Sequence, residues 1–188
     1  MRLILLKLLT RLGRLWLKSR GVQIGRGGWV HGLPEVRLKK GSVVQLGDGV
    51  SLCSMSRLNP LASGRRLSII TNTPTARIVI KDGAGISNSL LSCSQNITIG
   101  ANTLIGAECM IVDSDFHGYP LDANQPAKSA PVEIGDQVFI GARTIILKGV
   151  KIGNRSVIGA GSVVTSDIPE NCLAAGNPAR VIRSFAAK

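Results

Sequence analysis

The chain has two histidines, and one of them, His117, stands in the segment VDSDFHGYPLD (residues 112–122) with Asp113 and Asp115 just before it. Imidazole has an unperturbed pKa of about 6.5, so near neutral pH it can take a proton from a hydroxyl and return it to a leaving group. A carboxylate nearby can fix its tautomer. Asp113 and Asp115 are the local candidates, and a backbone carbonyl could serve equally. His31 has no comparable setting and reads as a surface or packing residue. The four cysteines, Cys53, Cys93, Cys109 and Cys172, show no CxxC or other metal spacing, so they read as reduced thiols of a cytoplasmic protein. With two histidines and no cysteine pair, no metal site is expected.

The second kind of chemistry is charge. The formal net charge is +12, and it is concentrated. Arg2, Lys7, Arg11, Arg14, Lys18, Arg20 and Arg26 all precede the first acidic residue, Glu35, and Arg180, Arg183 and Lys188 close the chain. Such clusters suit a phosphorylated ligand, an anionic membrane or nucleic acid. Aromatics make up only 3% and do not interleave with the basic residues, so nucleic acid is not an expected partner.

These residues must be held by the elements around them, and those elements keep a strict period. Ile134, Ile140, Ile146, Ile152, Ile158 and Val164 lie six apart, with glycine after four of them (Gly135, Gly141, Gly153, Gly159). Four residues after each aliphatic stands Val138, Thr144, Val150, Ser156, Ser162 or Ile168. The same beat runs through Ile99, Ile105 and Ile111, and in fragments through Leu46, Leu52 and Leu58 and through Ile80 and Ile86. A helix repeats at three or four residues and a flat strand at two. A period of six needs a short straight segment with an inward aliphatic, then a corner where glycine, Asn or Asp accepts unusual backbone angles. Stacked coils of this kind form an all-β solenoid, a parallel β-helix. The beat stops at 112–133, and that is where His117 sits. Cys109 occupies a small packing slot, which argues against a cysteine nucleophile.

The run IGDQVFIGARTIILKGVKIGNRSVIGAGSVVTSDIPENCLAAGNPARVIR resembles the C-terminal half of the bacterial hexapeptide-repeat acyltransferases, and ITIGANTLIGAECMIVDSDFH resembles the segment leading to their catalytic histidine. The similarity is closest to the sugar O-acetyltransferases, the galactoside and maltose enzymes and those of surface-polysaccharide synthesis. It implies a left-handed β-helix, a homotrimer with active sites between subunits, acetyl-CoA as co-substrate, and His117 as general base with Asp115 beside it. Matched residue by residue, Ala142 and Ala160 would contact the pantetheine arm at corners kept open by Gly141 and Gly159. Thr165, Arg180 and Arg183 would lie near the nucleotide phosphates, while Ser166 replaces the lysine usual in relatives. Asn88, the nearest amide, and Asp113 would face the acceptor, although Asp113 occupies an interior-adjacent phase of the repeat and could instead be structural. The carboxylate that relatives carry upstream is replaced here by Ser94 or a neighbour, which argues against galactoside or maltose as acceptor. Tyr119 and LDANQP could shape the acceptor end of the loop, and residues 59–75 could form another loop over the cleft.

Residues 1–20 read as an amphipathic helix with Lys7, Arg11, Arg14 and Lys18 on one face and Leu5, Leu8, Leu9, Leu12, Leu15 and Trp16 on the other. It could cover an open end of the solenoid, pack on a neighbouring subunit, or rest on the cytoplasmic face of the inner membrane, where each basic residue adds about 1 kcal/mol. It is too charged to span, and no signal-peptide cleavage site follows it. The expected organisation is this helix, a β-helix over 21–183 with its loop at 112–133, and a tail at 184–188. The expected activity is O-acetylation of a sugar or lipid-linked sugar. Alternatives are acetylation of a nucleotide-sugar amine, serine or an antibiotic, or a non-catalytic scaffold.

Overall fold

A computed structural model of the chain describes residues 2–118 and 125–185, with side chains from Leu6 onward. Tyr119, most of LDANQP and residues 186–188 lie outside the described residues. After α1 (Arg2–Ser19) the chain winds in coils of three short strands. The first coil carries β1 (Gln23–Ile24), β2 (Val30–His31) and β3 (Glu35–Arg37). The second carries β4 (Val43–Leu46), β5 (Ser51–Cys53) and β6 (Ser68–Thr71), and the third β7 (Arg77–Ile80), β8 (Gly85–Ser87) and β9 (Leu90–Cys93). The fourth has β10 (Asn96–Ile99), β11 (Leu104–Ile105) and β12 (Met110–Val112), and the fifth β13 (Val132–Ile134), β14 (Phe139–Ile140) and β15 (Ile145–Ile146). The sixth has β16 (Lys151–Ile152), β17 (Val157–Ile158) and β18 (Val163–Val164). β19 (Cys172–Gly176) continues the stack, and β20 (Ala179–Ser184) turns back on it antiparallel.

Each strand pairs in parallel with its equivalent one coil on, which gives three sheets. Sheet A begins with β1 and β4, sheet B with β2 and β5, and sheet C with β3 and β6. They are the three sides of a left-handed parallel β-helix. The six-residue beat is one inward aliphatic per side. Leu46, Ile80, Ile99, Ile134 and Ile152 stack in register in sheet A. Leu52, Ile86, Ile105, Ile140 and Ile158 do so in sheet B, and Ile69, Leu91, Ile111, Ile146 and Val164 in sheet C. All fifteen are buried, and each contributes about 1.5–3 kcal/mol by leaving water. Leu58 departs from this expectation. It is 40% exposed on a short 3-10 turn, within an excursion that leaves the second coil after β5 and returns at β6. That excursion spans 54–67, so it is shorter than the 59–75 interruption expected, because residues 68–71 are wall.

The corners differ from expectation in their physical cause. The glycines after each aliphatic are not the residues in left-handed backbone. That conformation falls two residues later, at Gly49, Asn102 and Gly161, where glycine or Asn takes it as expected, but also at Glu108, Gln137, Arg143 and Arg155. The glycines are needed because the coils approach too closely for a Cβ. One added at Gly141 would lie 2.4 Å from the Ala160 nitrogen, and one at Gly100 would lie 2.1 Å from the Gly135 oxygen. The small slots also do more than fill space. Thr103 Oγ1 donates to the Gly135 carbonyl (2.7 Å), Thr144 Oγ1 to Gly141 (2.8 Å) and Ser156 Oγ to Pro169 (2.7 Å). These buried hydroxyls satisfy corner carbonyls that would otherwise lose their water.

α1 covers the first coil. Leu17 is fully buried, and Gly13 lets the helix approach Val30, whose Cγ1 would lie 2.5 Å from an added Cβ. Arg14, expected on the solvated basic face, turns inward and donates to the Gly25 and Gly27 carbonyls. Trp16 Nε1 donates to Pro34 (2.9 Å) and Arg20 to Val36 (3.0 Å). The open edge of the stack is thereby covered by the helix. Leu8, Leu12 and Leu15 face outward, 52%, 50% and 64% exposed. Among the described residues no helix is long and apolar enough to cross a membrane.

Candidate active site

The histidine loop leaves the wall after β12, at the corner between sheets C and A. It departs through a narrow neck. The Asp115 N–H donates to the Lys128 carbonyl (3.0 Å) and the Ala130 N–H to Asp113 (3.0 Å), around an antiparallel bridge of Ser114 with Ser129. Beyond the neck the two sides of the loop stay close, since a Cβ at Gly118 would lie 2.1 Å from the Gln125 oxygen. Phe116 takes a left-handed φ of 63°, and Ser114 Oγ accepts its N–H (3.1 Å). His117 follows directly, exposed, two residues outside the neck.

The two aspartates divide their roles. Asp113 is fully buried, and its carboxylate accepts the backbone N–H groups of Ser94 (2.6 Å), Gln95 (2.7 Å) and Asn96 (2.9 Å). It therefore holds the β9–β10 corner, and in this conformation it offers an acceptor no exposed atom, contrary to its expected place beside the acceptor. Asp115 is exposed and pairs with Lys148 Nζ at 2.8 Å, not with His117 among the described residues. This ion pair ties the neck to the fifth coil. Lys148 was not found from sequence. It falls at an ordinary outward position, and only the stacking of coils brings it to Asp115.

The next corner, between sheets B and C, carries the row expected to meet a donor. Gly106, Ala142, Ala160 and Ala175 lie along it, all at least partly exposed, with Ala142 and Ala160 one residue past the register of Gly106 and Ala175. Gly141 and Gly159 sit behind the row and permit its close spacing. Arg180, on β20, pairs with Ala175 and so stands exposed at the end of the row. Arg183 pairs with Leu173 instead, and its guanidinium lies 5.6 Å from the Phe185 ring centre. Thr165 is exposed at the C–A corner, beyond β18. Asn88 lies at the B–C corner on the third coil, with Nδ2 donating to the Arg65 carbonyl (2.6 Å). Thus one chain places His117, Asp115 and Thr165 at one corner and Asn88, Ala142, Ala160 and Arg180 at another. A side of about 10 Å, three residues of sheet C at about 3.3 Å each, separates them.

Cys93 and Cys109 are not reactive candidates. Burial and the Asp113 carboxylate, 3.3 Å away, push the Cys93 thiol up to about 12, and burial raises that of Cys109. His31 is partly buried, and desolvation lowers its pKa, in keeping with a packing role. Among the described residues no cluster of His, Cys, Asp or Glu could hold a metal ion.

A family model described as the hexapeptide repeat of succinyl-transferase matches residues 96–114 and 131–166, the wall on both sides of the loop. Over 93 residues the chain is 48% identical to galactoside O-acetyltransferase of Escherichia coli, a stretch covering 47% of this chain and 44% of that protein. Over 101 residues it is 38% identical to WbbJ of the same organism, named for O-acetyl transfer in lipopolysaccharide biosynthesis, covering 48% and 52%. The chain thus spans about half the length of these relatives. The structure of galactoside acetyltransferase in complex with coenzyme A superposes with a TM-score of 0.56 at 25% identity, covering 96% of this chain and 82% of that one.

Proposed function

We propose, from its similarity to the hexapeptide-repeat acetyltransferases, that the chain transfers acetyl from acetyl-CoA to a sugar hydroxyl in the assembly of a surface polysaccharide, with His117 as general base. The observation that carries this reading is the exposed His117 held just outside a braced neck, on a solenoid whose neighbouring corner bears an open row of small residues ending at Arg180. A row of alanines suits the thin pantetheine arm, and an arginine at its end suits the phosphates. Arg183 and Thr165 would add to the nucleotide end.

In the reaction, an imidazole nitrogen of His117 takes the hydroxyl proton as the oxygen attacks the acetyl carbonyl. A tetrahedral oxyanion forms, the carbon–sulfur bond breaks, and the imidazolium returns the proton to the CoA thiolate. The Ala142 N–H makes no hydrogen bond among the described residues and is the candidate donor to the oxyanion. Asp115 braces the neck through Lys148. Asn88 contributes on the acceptor side.

The separation of the two half-sites supports a homotrimer, in which the histidine corner of one copy faces the alanine row of the next. Sheet B supports it too. Trp29, Leu104 and Phe139 are 44%, 51% and 48% exposed on one face, an apolar surface that a neighbouring copy would cover. The exposed row Leu8, Leu12 and Leu15, beside exposed Lys7, Arg11 and Lys18, supports peripheral contact with the cytoplasmic face of the inner membrane.

The test compares wild type with His117→Ala. Acetyl-CoA affinity, read by calorimetry, should be unchanged, while acetyl transfer to a panel of sugars falls about 10²–10⁴-fold. Equal transfer rates would remove His117 from the chemistry. Transfer to amino sugars alone would replace the hydroxyl acceptor by an amine.

A further inference from the structure

The excursion 54–67 has no part in the chemistry above, yet it is firmly placed. Its neck closes where the Leu67 N–H meets Ser54 Oγ (3.0 Å) over the fully buried Leu67 side chain. Its far side is held twice. Ser63 donates through its N–H and its hydroxyl to Glu108, and the Arg65 carbonyl accepts from Asn88. Between the excursion and sheet C runs a groove of about 670 Å³, lined by Arg37, Arg65, Arg66, Asn88, Glu108 and Met110.

The charges in this groove do not balance. Arg37 pairs with Glu35 at 3.1 Å. The Ser63 donors and Arg143 engage Glu108 and hold its carboxyl down to about 2, so it stays anionic, and among the described residues it makes no ion pair with Arg65 or Arg66. The guanidinium groups of Arg65 and Arg66, adjacent in sequence, have no hydrogen bond or ion pair among the described residues. Beside them, Asn88 is only 1% exposed, and its Oδ1 is buried with no donor. An acceptor atom in that state is destabilising until a hydroxyl or N–H reaches it.

We propose that this groove recognises the acceptor by a negative charge: the sugar carries a phosphate or carboxylate that Arg65 and Arg66 bind, while one of its hydroxyls donates to Asn88 Oδ1. The inference rests on the acyl-transfer reading and names its substrate class. Guanidinium groups make paired, charge-assisted hydrogen bonds with either anion. The Asn88 contact lies on the same corner as the alanine row, so an acceptor anchored there lies along the cleft in which the acetyl group is delivered.

The test is calorimetric titration of the full chain with glucose 1-phosphate, glucuronate and glucose, repeated with Arg65→Gln/Arg66→Gln. Acetyl-CoA serves as a second ligand in each case. Two charge-assisted contacts predict that at least one anionic sugar binds about tenfold or more tighter than glucose, and that the double variant loses this preference while keeping its affinity for acetyl-CoA. The two anionic probes separate phosphate from carboxylate. An anionic sugar that binds no better than glucose, or a preference that survives in the variant, overturns the proposal. Failure of the wild type to bind acetyl-CoA would instead remove the acyl-transfer reading, and is read independently of the sugars.

Discussion

Asp113 and Asp115 stand two residues apart in one loop and differ in everything that matters to their chemistry. Asp113 gives its lone pairs to three consecutive backbone N–H groups. Asp113→Ala would remove the partner of three part-buried donors, at about 1 kcal/mol each, so a loss of about 3 kcal/mol is expected. The urea midpoint measures it, and a variant as stable as wild type would show that the corner does not depend on the carboxylate. Asp115, by contrast, forms a half-exposed ion pair with Lys148, worth no more than about 1 kcal/mol in stability. Its value is positional. The sequence pointed to both carboxylates because both are near His117. The repeat phase put Asp113 next to the interior, but which backbone groups it holds depends on how its side chain leaves the corner.

At the scale of elements, α1 combines two surfaces that its sequence did not separate correctly. The inner surface uses Gly13, Leu17 and the turned-in Arg14 to cover the first coil, and the outer one shows Leu8, Leu12 and Leu15. Helical periodicity says which residues share a face but not which face meets the protein. Here close approach decides it, because only the stripe containing Gly13 allows the helix axis near Val30. The triple variant Leu8→Ser/Leu12→Ser/Leu15→Ser is expected to keep the melting temperature of wild type and to lose co-sedimentation with vesicles containing anionic lipid. Unchanged co-sedimentation would show that this stripe is not a membrane contact. The excursion 54–67 was visible only as a lapse in the beat. Its anchors, Glu108 and Asn88, lie one or two coils away, and nothing in the sequence ties either to the excursion.

For the whole molecule, the separation of His117 from the alanine row by one side of the solenoid is the governing fact. On the proposed reading a single copy has two half-sites, which assembly would complete. Leu104→Asp/Phe139→Asp places two charges on the apolar face of sheet B. Sedimentation velocity is expected to show the species falling from trimer to monomer, with acetyl transfer lost alongside. A variant that keeps the trimer mass would exclude this face from the interface.

The sequence by itself determined the wall. A period of six with aliphatics in step admits one architecture, because each side of a coil must bury one side chain on its equivalents above and below. It also marked where the wall stops, and the residue exposed there. The tertiary structure decided what lies next to what across coils: Lys148 on Asp115, Glu108 on the excursion, Arg180 at the end of the row. In a solenoid, residues about eighteen apart become neighbours wherever the count is regular, so the regular part is legible. Where an excursion adds an arbitrary length of chain, that arithmetic fails, and only the folded path shows which groups meet.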